Sequence, residues 1–135
     1  MPTQTASSIP LWTRLVALLG ALLSFAGGII SLVNPVMLTG PHDAINNAVR
    51  IYAGYTAARD LAVAILLFLL VLLSARRALG QLMFLVALIQ FIDTVIDCVE
   101  ARWTVAPGVL ILGVLFLFAA MRLTGPFWKP SAWGL

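Results

Sequence analysis

Long apolar stretches separated by short polar ones dominate the sequence. A bilayer core of about 30 Å needs about 20 residues of helix at a rise of about 1.5 Å each, and four stretches are long enough. They cover residues 11–33, about 51–73, about 78–99 and about 105–123. The pattern predicts an all-α fold: an integral membrane four-helix bundle, antiparallel and up-down-up-down, in which residues 1–135 form a single transmembrane domain.

The connections between these stretches are short, which supports the antiparallel arrangement. Asn34 and Pro35 end the first stretch, and the polar loop 38–47 (LTGPHDAINN) separates it from the second. Residues 74–77 (SARR) leave room only for a tight hairpin between the second and third stretches. Residues 102–104 join the third stretch to the fourth just as closely. Consecutive helices are therefore expected to run side by side in opposite directions.

The first stretch also fits a second interpretation, a signal peptide. Arg14, the apolar run 15–23 and the small residues around Ala26 correspond to its charged, apolar and small-x-small parts. The apolar run nevertheless continues to Val33, which favours a membrane span that is retained.

The composition places the chain in a lipid environment. Hydrophobic residues make up 62% of the sequence, well above the roughly one half that is usual for a soluble domain. Only eight basic and five acidic residues are present, so the formal charge of +3 does not indicate a nucleic-acid partner. The single cysteine, Cys98, excludes an intrachain disulfide and a metal site built from several cysteines.

The basic residues predict the orientation in the membrane. With four spans, both termini and the 74–77 loop share one side, which holds five basic residues, whereas the opposite helix ends hold Arg50 and Arg102. Basic residues are enriched on the cytoplasmic side, so we expect a multi-pass protein of the cell membrane with both termini cytoplasmic. The five basic residues are Arg14, Arg76, Arg77, Arg122 and Lys129.

Two stripes of polar residues interrupt the apolar pattern. The first lies on the second stretch, where Tyr52, Thr56 and Arg59 share one face with Tyr55 beside it, and Asp60 follows Arg59. The second lies on the third stretch, where intervals of three and four residues place its members on one helical face. Its members are Gln90, Asp93, Asp97 and Glu100.

The two stripes are expected to face each other or a hydrated cavity, because a charge turned to lipid near mid-membrane costs about 2.5–3.5 kcal/mol. Arg59 lies fourteen residues before the end of its stretch, and Asp93 lies fifteen residues after the start of the next. Antiparallel neighbours would place them at one depth, nearer the outer face, so we expect an Arg59–Asp93 ion pair. The predicted ligand-binding residues are Arg59, Asp93, Tyr52, Tyr55 and Gln90.

The acids in these stripes outnumber the arginine that is placed to balance them. Arg59 keeps its proton, and three aspartates lie within about two helical turns of it. Desolvation and like charges disfavour the ionised form of a carboxyl, so at least one acid is expected to be protonated near neutral pH. The candidates for general acid–base chemistry are Asp97, Asp60 and Glu100. In a competing interpretation the Arg59–Asp93 pair only sets helix register and assembly.

Other polar residues indicate less. His42 and Asp43 are interpreted as loop polarity rather than as metal ligands. Cys98 follows Asp97, whose carboxylate disfavours a reactive thiolate. In the structural interpretation, Glu100 and Arg102 are expected to be solvated at the membrane interface, with no role beyond solubility. The apolar stretches contain no Ser-His-Asp arrangement, phosphate-binding glycine loop or pair of haem-ligating histidines, so neither a metal nor a cofactor is expected.

Small residues recur every four positions on the first two stretches, a spacing that lets helices approach closely. We expect both stripes of small residues to be packing faces. They are Gly20, Ser24 and Gly28 on the first stretch, and Gly54, Ala58 and Ala62 on the second.

Two segments resemble small four-span membrane proteins of the DoxX-like type, closest to a domain-of-unknown-function group among them. They are GYTAARDLAVAIL from Gly54 and RRALGQL from Arg76, followed by an aspartate in the third stretch. The resemblance covers most of residues 34–123, and where such proteins tend to have a glycine four residues after the Arg-Asp pair, this chain has Ala64. It implies a four-helix bundle but no particular reaction. The residues to which it points are Arg59, Asp60 and Asp93.

Three classes of function fit these features. The favoured one is a binding or accessory protein whose polar pocket near the outer face holds a lipid or a small lipophilic, quinone-like molecule. The alternative is a membrane-embedded isomerase or cyclase that uses a protonated carboxyl on an apolar substrate. The third is a structural partner of a larger membrane complex. No segment outside the predicted spans is long enough to bind a soluble protein, so partners are expected among lipids, small molecules, other membrane helices and further copies of this chain.

Overall fold

The computed structural model of the chain describes residues 8–39 and 42–135, and these ranges contain helices but no strand. Four of the helices are long and apolar enough to cross a membrane. This confirms the predicted all-α class and the four long apolar helices. The helices are α1 (Leu11–Val33), α2 (Val36–Thr39), α3 (Asn47–Leu72), α4 (Arg76–Val99), α5 (Ala106–Thr124) and α6 (Pro130–Trp133).

The beginnings of the helices follow local capping chemistry. α3 begins at Asn47, earlier than the apolar pattern predicts, because the side-chain oxygen of Asn46 accepts a hydrogen bond from the Val49 N–H at 3.0 Å. Such a bond satisfies one of the N–H groups that a helix start leaves without a partner. α5 has a proline in its first turn, where the missing N–H costs nothing.

α3 ends in a Schellman motif whose left-handed residue is a serine rather than a glycine. Ser74 has φ 51°, and its N–H donates to the Val71 carbonyl at 3.1 Å. The Ala75 N–H donates to the Leu70 carbonyl at 3.0 Å. These two bonds use carbonyls that a helix end leaves open and reverse the chain within three residues, so α4 begins at Arg76.

α4 ends in the same way. Ala101 has φ 54°, and its N–H donates to the Cys98 carbonyl at 3.2 Å. The Arg102 N–H donates to the Asp97 carbonyl at 2.7 Å. The left-handed residue folds Arg102 back over the last turn of α4, on which Asp97 lies.

The chain divides into two compact units, residues 1–17 with 70–135, and residues 18–69. In the first unit α4 packs closely on α5 through two glycines. A Cβ on Gly80 would lie 3.0 Å from the Leu123 Cβ and 3.3 Å from the Ala120 carbonyl oxygen, with the Thr124 methyl group closer still. Gly113 of α5 faces Phe91 and Gln90 in the same manner. Around these contacts α4 and α5 bury Leu79, Met83, Val86, Ala87, Phe116 and Ala119.

The start of α4 caps the end of α5. The Arg76 guanidinium donates to the Leu123 carbonyl through Nε at 3.1 Å and to the Arg122 carbonyl through Nη2 at 3.3 Å. A cation at a helix C-terminus is favourable because the carbonyls there have no partners within the helix. Arg76 therefore helps to hold the two helices together.

The C-terminal segment, residues 125–135, folds back onto α4. Arg77 donates to the Ser131 carbonyl, and Gln81 donates to the Ala132 carbonyl at 3.4 Å. Within the segment Ala132 is buried, and the short helix α6 ends at Trp133. Polar side chains on the first two turns of α4 thus fix the position of α6.

An aromatic cluster completes this contact. The Phe84 and Phe127 rings are stacked, with centroids 3.9 Å apart and planes at 15°. The Trp133 ring meets both edge-on, at 6.0 and 5.6 Å, and its indole N–H donates to the Phe127 carbonyl at 2.8 Å. Such arrangements add stability beyond the apolar area that they bury.

In the second unit, residues 18–33 of α1 pack against α3. A Cβ on Gly28 would lie 2.9 Å from the Leu61 Cγ and 3.3 Å from the Ala57 carbonyl oxygen, so only glycine allows this approach. One turn later Ser31 is buried, and its hydroxyl donates to the Gly27 carbonyl at 2.8 Å. The predicted use of Gly28 as a packing residue agrees with this contact.

The predicted packing stripe on α3 is wrong by one position. Nothing lies within 4 Å of where a Gly54 side chain would start, and Ala58 and Ala62 are exposed. Ala53 and Ala57 are buried instead. Both sets of small residues have the same four-residue spacing, so the spacing alone does not distinguish the buried face from the exposed one.

Candidate functional site

Arg59 and Asp60, the two charged residues in the middle of α3, form an ion pair with each other. The Arg59 Nε lies 3.1 Å from the Asp60 Oδ1, and their side chains are 41% and 22% exposed. Asp60 is turned toward α1, since its Oδ2 lies 3.4 Å from the position that a Cβ on Gly27 would take. A Cβ at Gly27 would therefore make ordinary van der Waals contact with the carboxylate. We call Arg59 and Asp60 the mid-helix pair.

An apolar cavity of about 370 Å³ lies next to this pair, between α1 and α3. It begins one helical turn beyond Asp60, at Ala64. Ala21 and Ala64 are buried at its floor, whereas Phe25 and Phe68 are half exposed and form its rim. We call this cavity the α1–α3 groove. The residues that line it are Leu18, Ala21, Leu22, Phe25, Ala64, Ile65 and Phe68.

Two further cavities flank α2. The larger, about 440 Å³, is bounded by the end of α1, the 34–35 turn and the first two turns of α3, with Arg50 in its wall. The smaller, about 260 Å³, is lined in part by two residues of the predicted polar stripe, Tyr52 and Thr56. Pro35 and Ala53 belong to both walls, so the two cavities adjoin. We call the larger one the Arg50 cavity.

The two tyrosines predicted to bind a ligand lie at the exposed start of α3. Tyr52 and Tyr55 are 72% and 69% exposed, and their rings meet edge-on with centroids 6.5 Å apart. Thr56 donates to the Tyr52 carbonyl at 3.1 Å, which uses its proton within the helix. Tyr52 lines a cavity, and Tyr55 extends the same surface.

Asp97, the first of the predicted proton carriers, has a partner that the sequence analysis did not assign. Its Oδ1 lies 3.1 Å from the Arg102 Nη1, and its side chain is only 8% exposed. The expectation that Arg102 is merely solvated is therefore wrong. The Schellman motif at the end of α4 brings the arginine back over the last helical turn, and an apolar pattern does not reveal that turn.

The remaining predicted residues of α4 have different surroundings. Glu100 is exposed and is the C-cap residue of α4. Its N–H donates to the Ile96 carbonyl at 2.9 Å. Gln90 faces α5, because its Cβ lies 3.1 Å from the position of a Gly113 Cβ. Asp93 is partly exposed. The expected Arg59–Asp93 contact would join residues of the two separate units, and it stays a prediction.

The described residues contain no group of three or more His, Cys, Asp or Glu side chains that could hold a metal ion. His42 and Asp43 are exposed, and Cys98 is partly exposed and forms no disulfide. The site described above consists of ion pairs, hydroxyl groups and apolar walls.

Sequence reasoning missed the contribution of α1 and of Arg50. The polar stripes drew attention to α3 and α4, whereas residues of α1 form half of the groove. Two small residues in the sequence could have indicated this site. Gly27 of α1 lies opposite Asp60, and Ala64 lies one helical turn after it on α3. From the sequence, Arg50 was used only as one of the basic residues that predict the orientation of the helices in the membrane.

No protein-family model, curated protein or solved structure matches the chain. The resemblance to DoxX-like proteins thus stays a hypothesis, and the site is interpreted from its own chemistry.

Proposed function

We propose that this chain is a multi-pass protein of the cell membrane that binds a small lipophilic molecule in the α1–α3 groove, with the mid-helix pair as its polar contact. The observation that carries the proposal is an apolar groove one helical turn from an ion pair in the middle of a long apolar helix. A volume of about 370 Å³ lies within the usual range for ligand cavities, about 300–1,000 Å³.

The membrane part of the proposal is supported by the surface of the long helices. Leu22, Phe68, Ile92 and Phe118, one on each long helix, are all large and exposed, as are many of their neighbours. Exposure of such an apolar surface to water is unfavourable, whereas contact with lipid chains is not. We further propose the antiparallel four-span bundle with both termini cytoplasmic, which agrees with the resemblance to four-span DoxX-like proteins.

This topology is testable with reporters at two positions. A reporter fused after Leu135 is expected on the cytoplasmic side, and one inserted at Asp43 on the outer side. A cytoplasmic signal at Asp43 would contradict the topology. A purified chain whose mass corresponds to a start after Ala26 would instead support the signal-peptide interpretation of the first helix.

The mid-helix pair supports a binding role because charged side chains are unfavourable in the middle of a membrane span. Asp60 lies close to the centre of α3, which spans about 39 Å for its 26 residues. An ionisable side chain within a membrane span costs free energy, and such residues commonly mark a binding site or a pathway. A lipophilic molecule with one hydroxyl or carbonyl would place its body against the apolar walls and its polar atom at the pair.

Binding has better support than the catalytic alternative, an isomerase or cyclase. A general acid needs a protonated carboxyl. Asp60 and Asp97 each form an ion pair with an arginine, a contact between charged groups. Glu100 is exposed at the end of α4. An accessory role within a larger membrane complex is compatible with binding. In such a complex, partner helices would cover the open side of the α1–α3 groove and the ligand in it.

Photolabelling tests the groove directly. The probe is a neutral long-chain alcohol with a diazirine at the end of its chain, added to the purified full-length protein in phosphatidylcholine nanodiscs. We expect saturable labelling of peptides that contain residues 18–25 and 64–68. Ala64→Phe fills the floor of the groove and should reduce this labelling severalfold.

Ala62→Phe is the matched control, because Ala62 is exposed on the same helix and lies outside the groove. Circular dichroism checks that both variants keep the helical content of the parent. Labelling that does not saturate, or that is reduced equally in the two variants, would contradict a binding site in the groove. Asp60→Asn should weaken the competition by unlabelled alcohol if the pair contacts the polar end of the ligand.

A further inference from the structure

The Arg50 cavity differs from the α1–α3 groove in its chemistry. Most of its wall is apolar, contributed by Leu32, Val33, Val36 and Ile45, but Arg50, on the first turn of α3, also lines it. The groove has no charged residue in its lining. A cavity that combines a cation with apolar walls is suited to a molecule that combines an anion with a hydrocarbon chain.

Arg50 has hydrogen-bonding capacity to offer such a molecule. Among the residues that the structure describes, none forms an ion pair with Arg50, and its side chain is exposed. Asn34, whose carboxamide is a further possible donor, also lines the cavity. Ser31 lines the cavity too, but it is buried and its hydroxyl proton is already donated to the Gly27 carbonyl, so it is not a donor to the cavity. The donors for an anion are therefore Arg50 and Asn34.

The position of Arg50 along α3 also matches a head group. Arg50 lies three residues after the start of α3 at Asn47, about 5 Å along the helix axis, whereas the mid-helix pair lies about 20 Å from that start. If α3 crosses a bilayer, Arg50 lies near the level of lipid head groups. The adjoining cavity, lined by Leu38, Val49 and Tyr52, provides further apolar room beside it.

We propose that the Arg50 cavity is a second binding site, which takes an anionic amphiphile. The carboxylate or phosphate of the amphiphile contacts the Arg50 guanidinium, and its hydrocarbon chain lies against Val36, Ile45 and Ala53. A guanidinium matches the geometry of carboxylate and phosphate because it donates two parallel hydrogen bonds to either group. The site is separate from the α1–α3 groove and does not depend on it, since it shares no lining residue with the groove.

The test uses electron paramagnetic resonance on the full-length protein in phosphatidylcholine nanodiscs. The probe is stearic acid with a nitroxide close to its carboxylate, and its methyl ester serves as the uncharged counterpart. We expect an immobilised spectral component from the acid that saturates with protein and is much weaker for the ester. Dodecyl phosphate should displace the acid, whereas dodecanol and inorganic phosphate should not, because each lacks one half of the amphiphile.

Arg50→Gln is expected to weaken the binding of the spin-labelled acid about tenfold or more, the effect of losing a charged hydrogen-bonding group. Arg122→Gln is the matched control, because Arg122 is also an exposed arginine near a helix end but lies in the other unit. Its affinity should equal that of the parent. Ala53→Phe, which fills the cavity while keeping Arg50, should also weaken binding, with circular dichroism as the check on folding.

Three outcomes would overturn the proposal. Equal binding by the parent and Arg50→Gln would mean that the guanidinium does not hold the probe. Equal binding of the acid and its ester would mean that the cavity takes neutral lipophiles. Displacement by inorganic phosphate as effective as by dodecyl phosphate would mean an anion site without a chain. None of these outcomes affects the neutral-alcohol labelling of the α1–α3 groove, so the two sites can fail separately.

Discussion

Arg102 contacts Asp97 twice at the end of α4. Its backbone N–H donates to the Asp97 carbonyl at 2.7 Å, and its Nη1 lies 3.1 Å from the Asp97 Oδ1. The two residues occupy the positions of a Schellman motif at which apolar side chains frequently meet, and here an ion pair replaces that contact. Asp97 is almost fully buried and Arg102 is 40% exposed, so a buried carboxylate is balanced from the surface of the helix end.

Removing the arginine should therefore cost more than neutralising the acid. Arg102→Gln leaves the Asp97 carboxylate buried without its counter-ion, and we expect the free energy of unfolding to fall by about 2–3 kcal/mol. Asp97→Asn retains a hydrogen-bond acceptor for the arginine and should cost about 1 kcal/mol. Chemical unfolding in mixed detergent micelles measures both losses.

Glu100→Gln is the control for these two variants, because Glu100 is an exposed acid on the same turn. It should change the free energy of unfolding by less than about 0.5 kcal/mol. The backbone bond from Arg102 to Asp97 remains in every variant, so the helix should keep its end. A loss in Arg102→Gln no larger than that in Glu100→Gln would mean that the ion pair adds no stability.

The left-handed residues at the ends of α3 and α4 predict a gain in stability from glycine. Ser74 and Ala101 have φ 51° and 54°, a conformation that costs a residue with a Cβ about 1–2 kcal/mol. Glycine removes this cost but makes the unfolded chain more flexible, so Ser74→Gly and Ala101→Gly should each stabilise by about 0.5–1 kcal/mol. Thermal unfolding followed by circular dichroism measures the change.

The opposite sign is expected at Ala58, an exposed residue within α3. Ala58→Gly should destabilise by about 0.5–1 kcal/mol, because glycine is a poor helix former. If Ala101→Gly and Ala58→Gly both lowered the melting temperature, the left-handed conformation of Ala101 would be excluded.

Gly80 and Gly54 should respond oppositely to alanine. At Gly80 a Cβ would meet the Thr124 methyl group and lie 3.0 Å from the Leu123 Cβ, so Gly80→Ala should separate α4 from α5 and destabilise by about 1–3 kcal/mol. At Gly54 nothing lies within 4 Å, so Gly54→Ala should stabilise by about 0.5–1 kcal/mol through helix propensity alone. The same unfolding assay compares the two, and a loss at Gly54 with none at Gly80 would reverse the assignment of packing faces.

The Arg59–Asp93 contact expected from the sequence can be tested by a double-mutant cycle. If the two side chains meet, Arg59→Ala and Asp93→Ala should each lower the free energy of unfolding, and the double variant should lose less than the sum. Arg59 also pairs with Asp60, so the cycle of Arg59 with Asp60→Ala provides the reference for a pair that is in contact. Strictly additive losses for Arg59 and Asp93 would mean that they do not interact.

Local sequence determined the helical elements of this protein. The four long helices follow from the length and apolar content of each stretch, properties that depend only on neighbouring residues. The largest change at a helix start also has a local cause, since Asn46 caps α3 and moves its beginning to Asn47. The charged residues Arg59 and Asp60 were identified for the same reason, because an Arg-Asp pair within an apolar run stands out without any structure.

Only the tertiary structure decided which of these residues meet. The buried face of α3 is that of Ala53 and Ala57 rather than Gly54, because small residues with the same spacing occupy both faces and the rotation of the helix chooses between them. Arg102 reaches Asp97 because a left-handed residue reverses the chain, a geometry that hydrophobic periodicity does not contain. The groove and the Arg50 cavity are lined by residues on opposite sides of the close approach of α1 to α3 at Gly28. Such an approach depends on side chains from separate parts of the chain, so no single stretch of sequence determines it.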